Sequence, residues 1–134
     1  INLENNNLME REIRNYKRIL SNNKKYKYNY VVLLGLHDFS RMINLLTNFK
    51  NKRYKFFIKP HPKINLNNYN FSNKIKLINK IPNKKIFKSI ILSQSSSLII
   101  SFLENNIPFK LLKDNLSFNL LSDFKLKNKK YYFL

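Results

Sequence analysis

Two prolines flank a histidine directly behind an apolar run, and this arrangement restricts the fold of the chain more than any other feature. The run Tyr54 to Ile58 reads as a strand, closed by Lys59-Pro60-His61-Pro62. Proline fixes φ and removes a backbone donor, so neither a helix nor a central ladder continues through this turn. Proline on both sides holds Pro60 and His61 extended, which presents the imidazole in a nearly fixed direction. Taken alone, such a turn reads as rigid punctuation whose histidine points to water. A second cluster changes that reading.

Ser89 to Leu92 is another short apolar run, and it ends in Ser93-Gln94-Ser95-Ser96-Ser97. Both clusters therefore fall at carboxyl ends of strands, the edge of an open α/β sheet where ligands bind. The apolar segment Leu98 to Leu103 follows, so the serines also open a helix, whose N-terminal N–H groups and hydroxyls attract phosphate.

The remaining elements agree with an alternating pattern. Leu8, Ile13, Tyr16, Ile19 and Leu20 are spaced for an amphipathic helix within Leu3 to Leu20, ended by Ser21-Asn22-Asn23. Residues 1–24 read as this helix or an interdomain linker, and residues 25–134 as the domain proper. Tyr30 to Leu34 is a strand ending at the one glycine, Gly35, after which Asp38 or Ser40 caps a helix carrying Met42, Ile43, Leu45, Leu46 and Phe49. Gly35 is a candidate for close backbone approach to a ligand, weighed against a simple turn. His37 reads as a solvated loop histidine.

Lys74 to Asn79 alternates as a third strand, Pro82-Asn83 opens a short helix, and Ile90 to Leu92 is apolar throughout, as in a strand buried on both faces. The helix from about Ser96 to Asn105 ends where Asn105-Asn106 can take the left-handed cap conformation, with Pro108 just beyond. Phe109 to Leu112 and Tyr131 to Leu134 are the last strands, with Asp114 to Asp123 irregular between them. Strands alternating with helices imply right-handed crossovers: an α/β, Rossmann-like parallel sheet with helices on both faces.

Composition bounds the function. With 134 residues the chain fits one domain, and its apolar end reads as that of a fragment. A net charge of +19 points to an anionic partner. The chain also lacks Ala and is rich in Lys, Asn, Ile, Phe and Tyr, so A/T-rich codons account for much of the lysine, which falls in short pairs. Contact with an anionic membrane is then a secondary effect of charge. No Cys is present, which removes disulfides and thiolate metal sites. No apolar run reaches the roughly 20 residues of a membrane span, and Glu4, Glu10 and Glu12 do not suit a signal peptide.

Lys59 to Pro62, Ser95 to Ser97 and Asn106-Ile107-Pro108, in that order at strand ends, resemble the C-terminal donor-binding half of a GT-B glycosyltransferase. The bacterial families concerned are sialyltransferases, capsule Kdo transferases, related glycerophosphotransferases and surface-carbohydrate biosynthesis proteins. The resemblance covers roughly Tyr30 to Leu121. It implies that His61 is catalytic, contacting the donor phosphate and assisting departure of the nucleotide. Lys59, Ser95, Ser96 and Ser97 would bind the same phosphate. The donor would be a nucleotide sugar, CMP-linked, with no metal and no cofactor. The acceptor domain and its catalytic base would lie in a missing N-terminal half, so this chain alone would bind donor without turning it over. The location implied is cytoplasmic, peripheral to the inner membrane.

The sequence departs from that pattern at two positions. Ser101 stands where the families carry an acid suited to a ribose hydroxyl, so it is the residue at the donor-binding position here, and Asn106 replaces a glycine. Two other readings stand beside the transferase: a glycerophosphotransferase-type donor domain, and a basic nucleic-acid-binding α/β domain. The last rests on charge and on Tyr26, Tyr28, Phe56 and Tyr69 alone, without an RNA- or DNA-reading motif, so nucleic acid is the weaker expectation. A serine hydrolase is disfavoured because the serines lack a G-x-S-x-G setting.

Overall fold

A computed structural model describes residues 8–114 and 132–133. Its elements are α1 (Glu10–Arg18), β1 (Asn29–Leu33), α2 (Phe39–Thr47), β2 (Lys55–Lys59), β3 (Ile75–Leu77), β4 (Ser89–Ser93), α3 (Leu98–Glu104), β5 (Lys110–Leu112) and β6 (Tyr132–Phe133). The strands form one parallel sheet in the order β3-β2-β1-β4-β5-β6. This is the α/β, Rossmann-like architecture expected from the alternation of elements.

The period-2 alternation of strand side chains sorts the core into two layers. Val31, Ile90, Leu92 and Leu111 cluster with Ile99 and Phe102 of α3, and with Ile13, Tyr16 and Ile19 from the α1 region. Their neighbours Tyr30, Val32, Ile91 and Leu112 cluster instead with Phe39, Met42, Ile43 and Leu46 of α2. Helices α2 and α3 thus pack on opposite sides of the sheet. Every residue of β4 is buried, as its apolar sequence requires of a strand covered twice.

Two sequence expectations change at the level of local structure. No helix forms at Pro82-Asn83, because Phe87 pairs with the segment that leaves α1: its N–H donates to the Ile19 carbonyl (3.1 Å) and its carbonyl accepts from Ser21 (2.8 Å). Long-range pairing of a fully buried Phe87 outweighs a weak proline start signal. Helix α1 is shorter than the periodicity suggested, since Leu20 takes up that bridge. Residues 3–7 of the expected helix, and 115–123 of the expected irregular stretch, lie outside the described residues.

The end of α3 follows the expected chemistry. Asn106 has φ 55°, the left-handed region, and the Ile107 N–H donates to the Phe102 carbonyl (2.9 Å) while the Asn106 N–H reaches Leu103 (3.4 Å). These two bonds make a Schellman cap, and Pro108 then prevents further helix. Replacing Asn106 with Ala is expected to cost about 1 kcal/mol in a denaturant titration, since a β-branched or alkyl residue is strained there, whereas Asn106→Gly loses nothing.

Tyr30 gives the fold a pH signature. Burial, then the neighbouring Tyr54, pushes its phenol up from the ordinary 10 to about 12. The unfolded chain therefore loses this proton first, and stability that is complete below about pH 10 declines as pH climbs through about 12. Alkaline unfolding followed by circular dichroism is expected to start earlier in the wild type than in Tyr30→Phe.

Candidate functional site

Register fixes which loops share an edge. Leu33 of β1 pairs with Lys59 of β2 and with Leu92 of β4, so the three strands end level with one another. Gly35, His61 and Gln94 each lie two residues past that line. From β1 the chain turns into α2 on one side, and from β4 into α3 on the other, while the strand order reverses between them. Adjacent strands whose helices depart to opposite sides leave a crevice between their loops, the topological switch point of an open sheet.

A cavity of about 310 Å³ occupies this place. One wall is Leu33 to Gly35 with His37 and Asp38; the other is Ser93 and Ser95 to Leu98. Its polar centre is the Asp38 carboxylate. Oδ2 accepts from the hydroxyls of Ser93 (3.0 Å) and Ser95 (2.8 Å), which are 3.5 Å apart. Ser93 ends β4 on the side of Ile91, the side covered by α2, Ser95 lies in the turn that follows, and Asp38 is the residue that begins α2. Asp38 or Ser40 was expected to cap that helix, and Asp38 holds the position. Its side chain makes no capping bond, however, and serves the serines instead.

The other sequence candidates are placed as follows. Ser96 Oγ accepts from the Leu98 N–H (3.2 Å), which leaves its own hydrogen to donate outward. Ser97 is the N-cap of α3 and makes no side-chain capping bond. Helix α3 is seven residues long and its first N–H is already taken by Ser96, so the serine hydroxyls, more than the helix end, are the donors here. Gly35 lines the cavity with nothing within 4 Å of where a β-carbon would stand, so neither crowding nor backbone conformation demands glycine. Ser101 is buried on α3 and does not line the cavity.

Lys59 and His61 stand at the same edge but outside the cavity lining. They end β2, two strands from β4, which separates the backbones by roughly 10 Å. The exposed His61 is held by its turn: Nδ1 accepts from the Lys63 N–H (3.1 Å) and its carbonyl from Ile64 (2.9 Å). An accepting Nδ1 carries no proton, so the ring N–H of this tautomer is on Nε2.

A second polar network braces the crevice from the β5 side. The Gln94 carboxamide donates to the Asp114 carbonyl and accepts from its N–H (3.3 Å), pairing with that peptide as a further strand residue would. Arg41 of α2 closes on the Asp114 carboxylate at 2.5 Å. Among the described residues no three His, Asp or Glu side chains converge to hold a metal, and no helix is long and apolar enough to cross a membrane.

Asp38 and His37 are the cavity residues that sequence reasoning set aside, one as a helix cap and one as a solvated histidine. The available signal was their position, directly after a strand that ends level with the serine strand. Compared with known proteins, the chain matches no family model, no curated protein and no solved structure.

Ser93 tests the geometry, being only 1% exposed with its hydroxyl on a carboxylate. Ser93→Ala is expected to cost about 1.5–3 kcal/mol by urea unfolding, and the half-exposed Ser95 less. A cycle with Asp38→Asn should show the two serines coupled to the carboxylate.

Proposed function

We propose that the chain is the donor-binding domain of a glycosyltransferase acting on surface polysaccharide, and that a nucleotide sugar, CMP-linked, occupies the switch-point crevice. The observation that carries this reading is the cavity itself: hydroxyls of the serine cluster and the Asp38 carboxylate face one space between the β1 and β4 loops. The Lys59 to Pro62 turn rises from the neighbouring strand.

The charges assign the parts of the donor. A carboxylate repels phosphate by several kcal/mol at contact distance, on the order of 4 kcal/mol at 4 Å for an effective dielectric of 20. Asp38 therefore suits hydroxyls, those of the ribose or the sugar, which donate to a carboxylate. The phosphate lies toward Ser96, Ser97 and the Lys59 and His61 side, where hydroxyl, ammonium and imidazole N–H donors are available. A donor molecule extends over about 10 Å and reaches both places, which a lone phosphate does not.

In transfer, the bond between the anomeric carbon and the phosphate oxygen breaks and negative charge collects on the departing nucleotide. His61 Nε2–H and the Ser96 and Ser97 hydroxyls stabilise that charge more as it grows, which lowers the barrier. The acceptor and the base that deprotonates it belong to a partner domain in this reading, at a location that is cytoplasmic and peripheral to the membrane. A glycerophosphotransferase would use the same phosphate donors with CDP-glycerol.

Calorimetry with CMP, CDP and CDP-glycerol checks the reading. Mononucleotide binding is expected, and either His61→Ala or the double variant Ser96→Ala, Ser97→Ala should weaken it roughly ten- to a hundred-fold while the melting temperature holds. Absence of mononucleotide binding, with oligonucleotide binding that falls steeply in salt, overturns it in favour of a nucleic-acid domain.

A further inference from the structure

Nine of the seventeen lysines among the described residues lie on three neighbouring segments at one end of the sheet, the end opposite the crevice. Lys24, Lys25 and Lys27 lie on the approach to β1, and Lys84, Lys85 and Lys88 on the approach to β4. Lys50, Lys52, Arg53 and Lys55 do the same for β2. All are exposed, and the three segments 22–28, 50–55 and 82–88 contain no Asp or Glu. The segments lie side by side, because β2, β1 and β4 are neighbours in register. Arg18 extends the surface to α1 through its bond to Asn83 (3.1 Å). Among the described residues, Glu104 stands in the last turn of α3.

The opposite edge is sparser: among the described residues Lys59, Lys63, Lys80 and Lys113 stand there, at the ends of β2, β3 and β5 and away from the two loops that wall the crevice. Segments 34–38 and 94–97, after β1 and β4, carry no Lys or Arg at all and one acid, Asp38. A codon bias raises lysine along the whole chain without regard to which end of a strand it falls on. It therefore explains the number of lysines and leaves their sorting unexplained.

We propose that this basic end of the sheet docks on an anionic phospholipid surface, with the crevice facing away from the bilayer. Nine of the ten cations named for the three segments are lysines, compact charges that gain from a diffuse anionic surface without needing the planar pairing that favours arginine on nucleic acid. The tyrosines within the patch point the same way. Lys25 lies over the Tyr26 ring at 5.6 Å, and Lys27 and Arg53 over the Tyr28 ring at 5.1 and 6.0 Å, while Tyr54 meets Tyr28 edge-on. Half-buried tyrosines among lysines suit the headgroup layer of a bilayer.

Co-sedimentation of the full chain with vesicles of equal parts phosphatidylcholine and phosphatidylglycerol tests this, with pure phosphatidylcholine vesicles alongside. Binding is expected only to the anionic vesicles and should fall with salt. The triple variant Lys24→Gln, Lys25→Gln, Lys27→Gln should bind about a hundred-fold more weakly. A control of equal charge loss, Lys76→Gln, Lys80→Gln, Lys113→Gln, should keep most of the affinity, and circular dichroism should show both variants folded. Equal losses in the two triples, or binding to neutral vesicles, overturn the proposal. So does preferential binding of single-stranded RNA through the same three lysines. Nucleotide affinity measured on the first triple keeps this outcome separate from that of the crevice.

Discussion

Double burial of β1 and β4 is the constraint on which the rest of the structure depends. Val31, Val32, Ile90, Ile91 and Leu92 are all fully buried, so their strands need cover on both faces. Covering both faces obliges the chain to send one following helix up and the other down. The crevice between the loops is then a geometrical consequence of burying those side chains, and it exists before any residue is chosen to fill it. Each such side chain contributes on the order of 1.5–3 kcal/mol, so the five together outweigh any one polar contact at the edge. The site is therefore carried by a scaffold that does not depend on it.

That separation shows in Asp38. A residue that begins a helix normally turns its side chain back on the first N–H groups, a contribution of about 0.5–2 kcal/mol. Here the carboxylate accepts two hydroxyls from across the crevice instead. Ser93 ends β4 on the face of Ile91, toward α2, and the turn that follows brings the Ser95 hydroxyl to the same carboxylate. The Gln94 side chain lies between them in sequence and is used differently, to hold the end of β5 through Asp114, which Arg41 ties back to α2. The loop after β4 is thereby fixed on both of its flanks. Ser96 and Ser97 face the cavity from an anchored backbone.

The sheet was legible in the sequence because strand residues sort by burial alone: short apolar runs, turn residues after them, and one run apolar throughout. So was the edge that Gly35, His61 and the serines share, since each follows a strand end. What the sequence did not carry was partner choice. Nothing local distinguishes a capping aspartate from one that serves a distant serine, and the Asp38 to Ser93 pairing spans 55 residues. Phe87 misled for the same reason, as its pairing with Leu20 lies far off in sequence and replaced the helix that Pro82 announced. Ser101 reads as a site residue by position within a motif, but the helix rotates it into the core layer.

Separating two kinds of charge along one axis has a consequence for how an anionic ligand is met. The crevice carries a carboxylate and no lysine or arginine in its walls, whereas the opposite end of the sheet is densely cationic. At physiological salt the field of exposed charges decays over about 8 Å, less than the length of the five-residue strands between the two ends at about 3.3 Å per residue. The basic end would therefore do little for a nucleotide in the crevice, and in the proposed reading its affinity rests on local donors: the serine hydroxyls, His61 and Lys59. Conversely, occupancy of the crevice leaves the basic end unneutralised. The two surfaces are electrostatically independent, so one domain can hold a small anion and an extended anionic surface at once, with neither competing for the cations of the other.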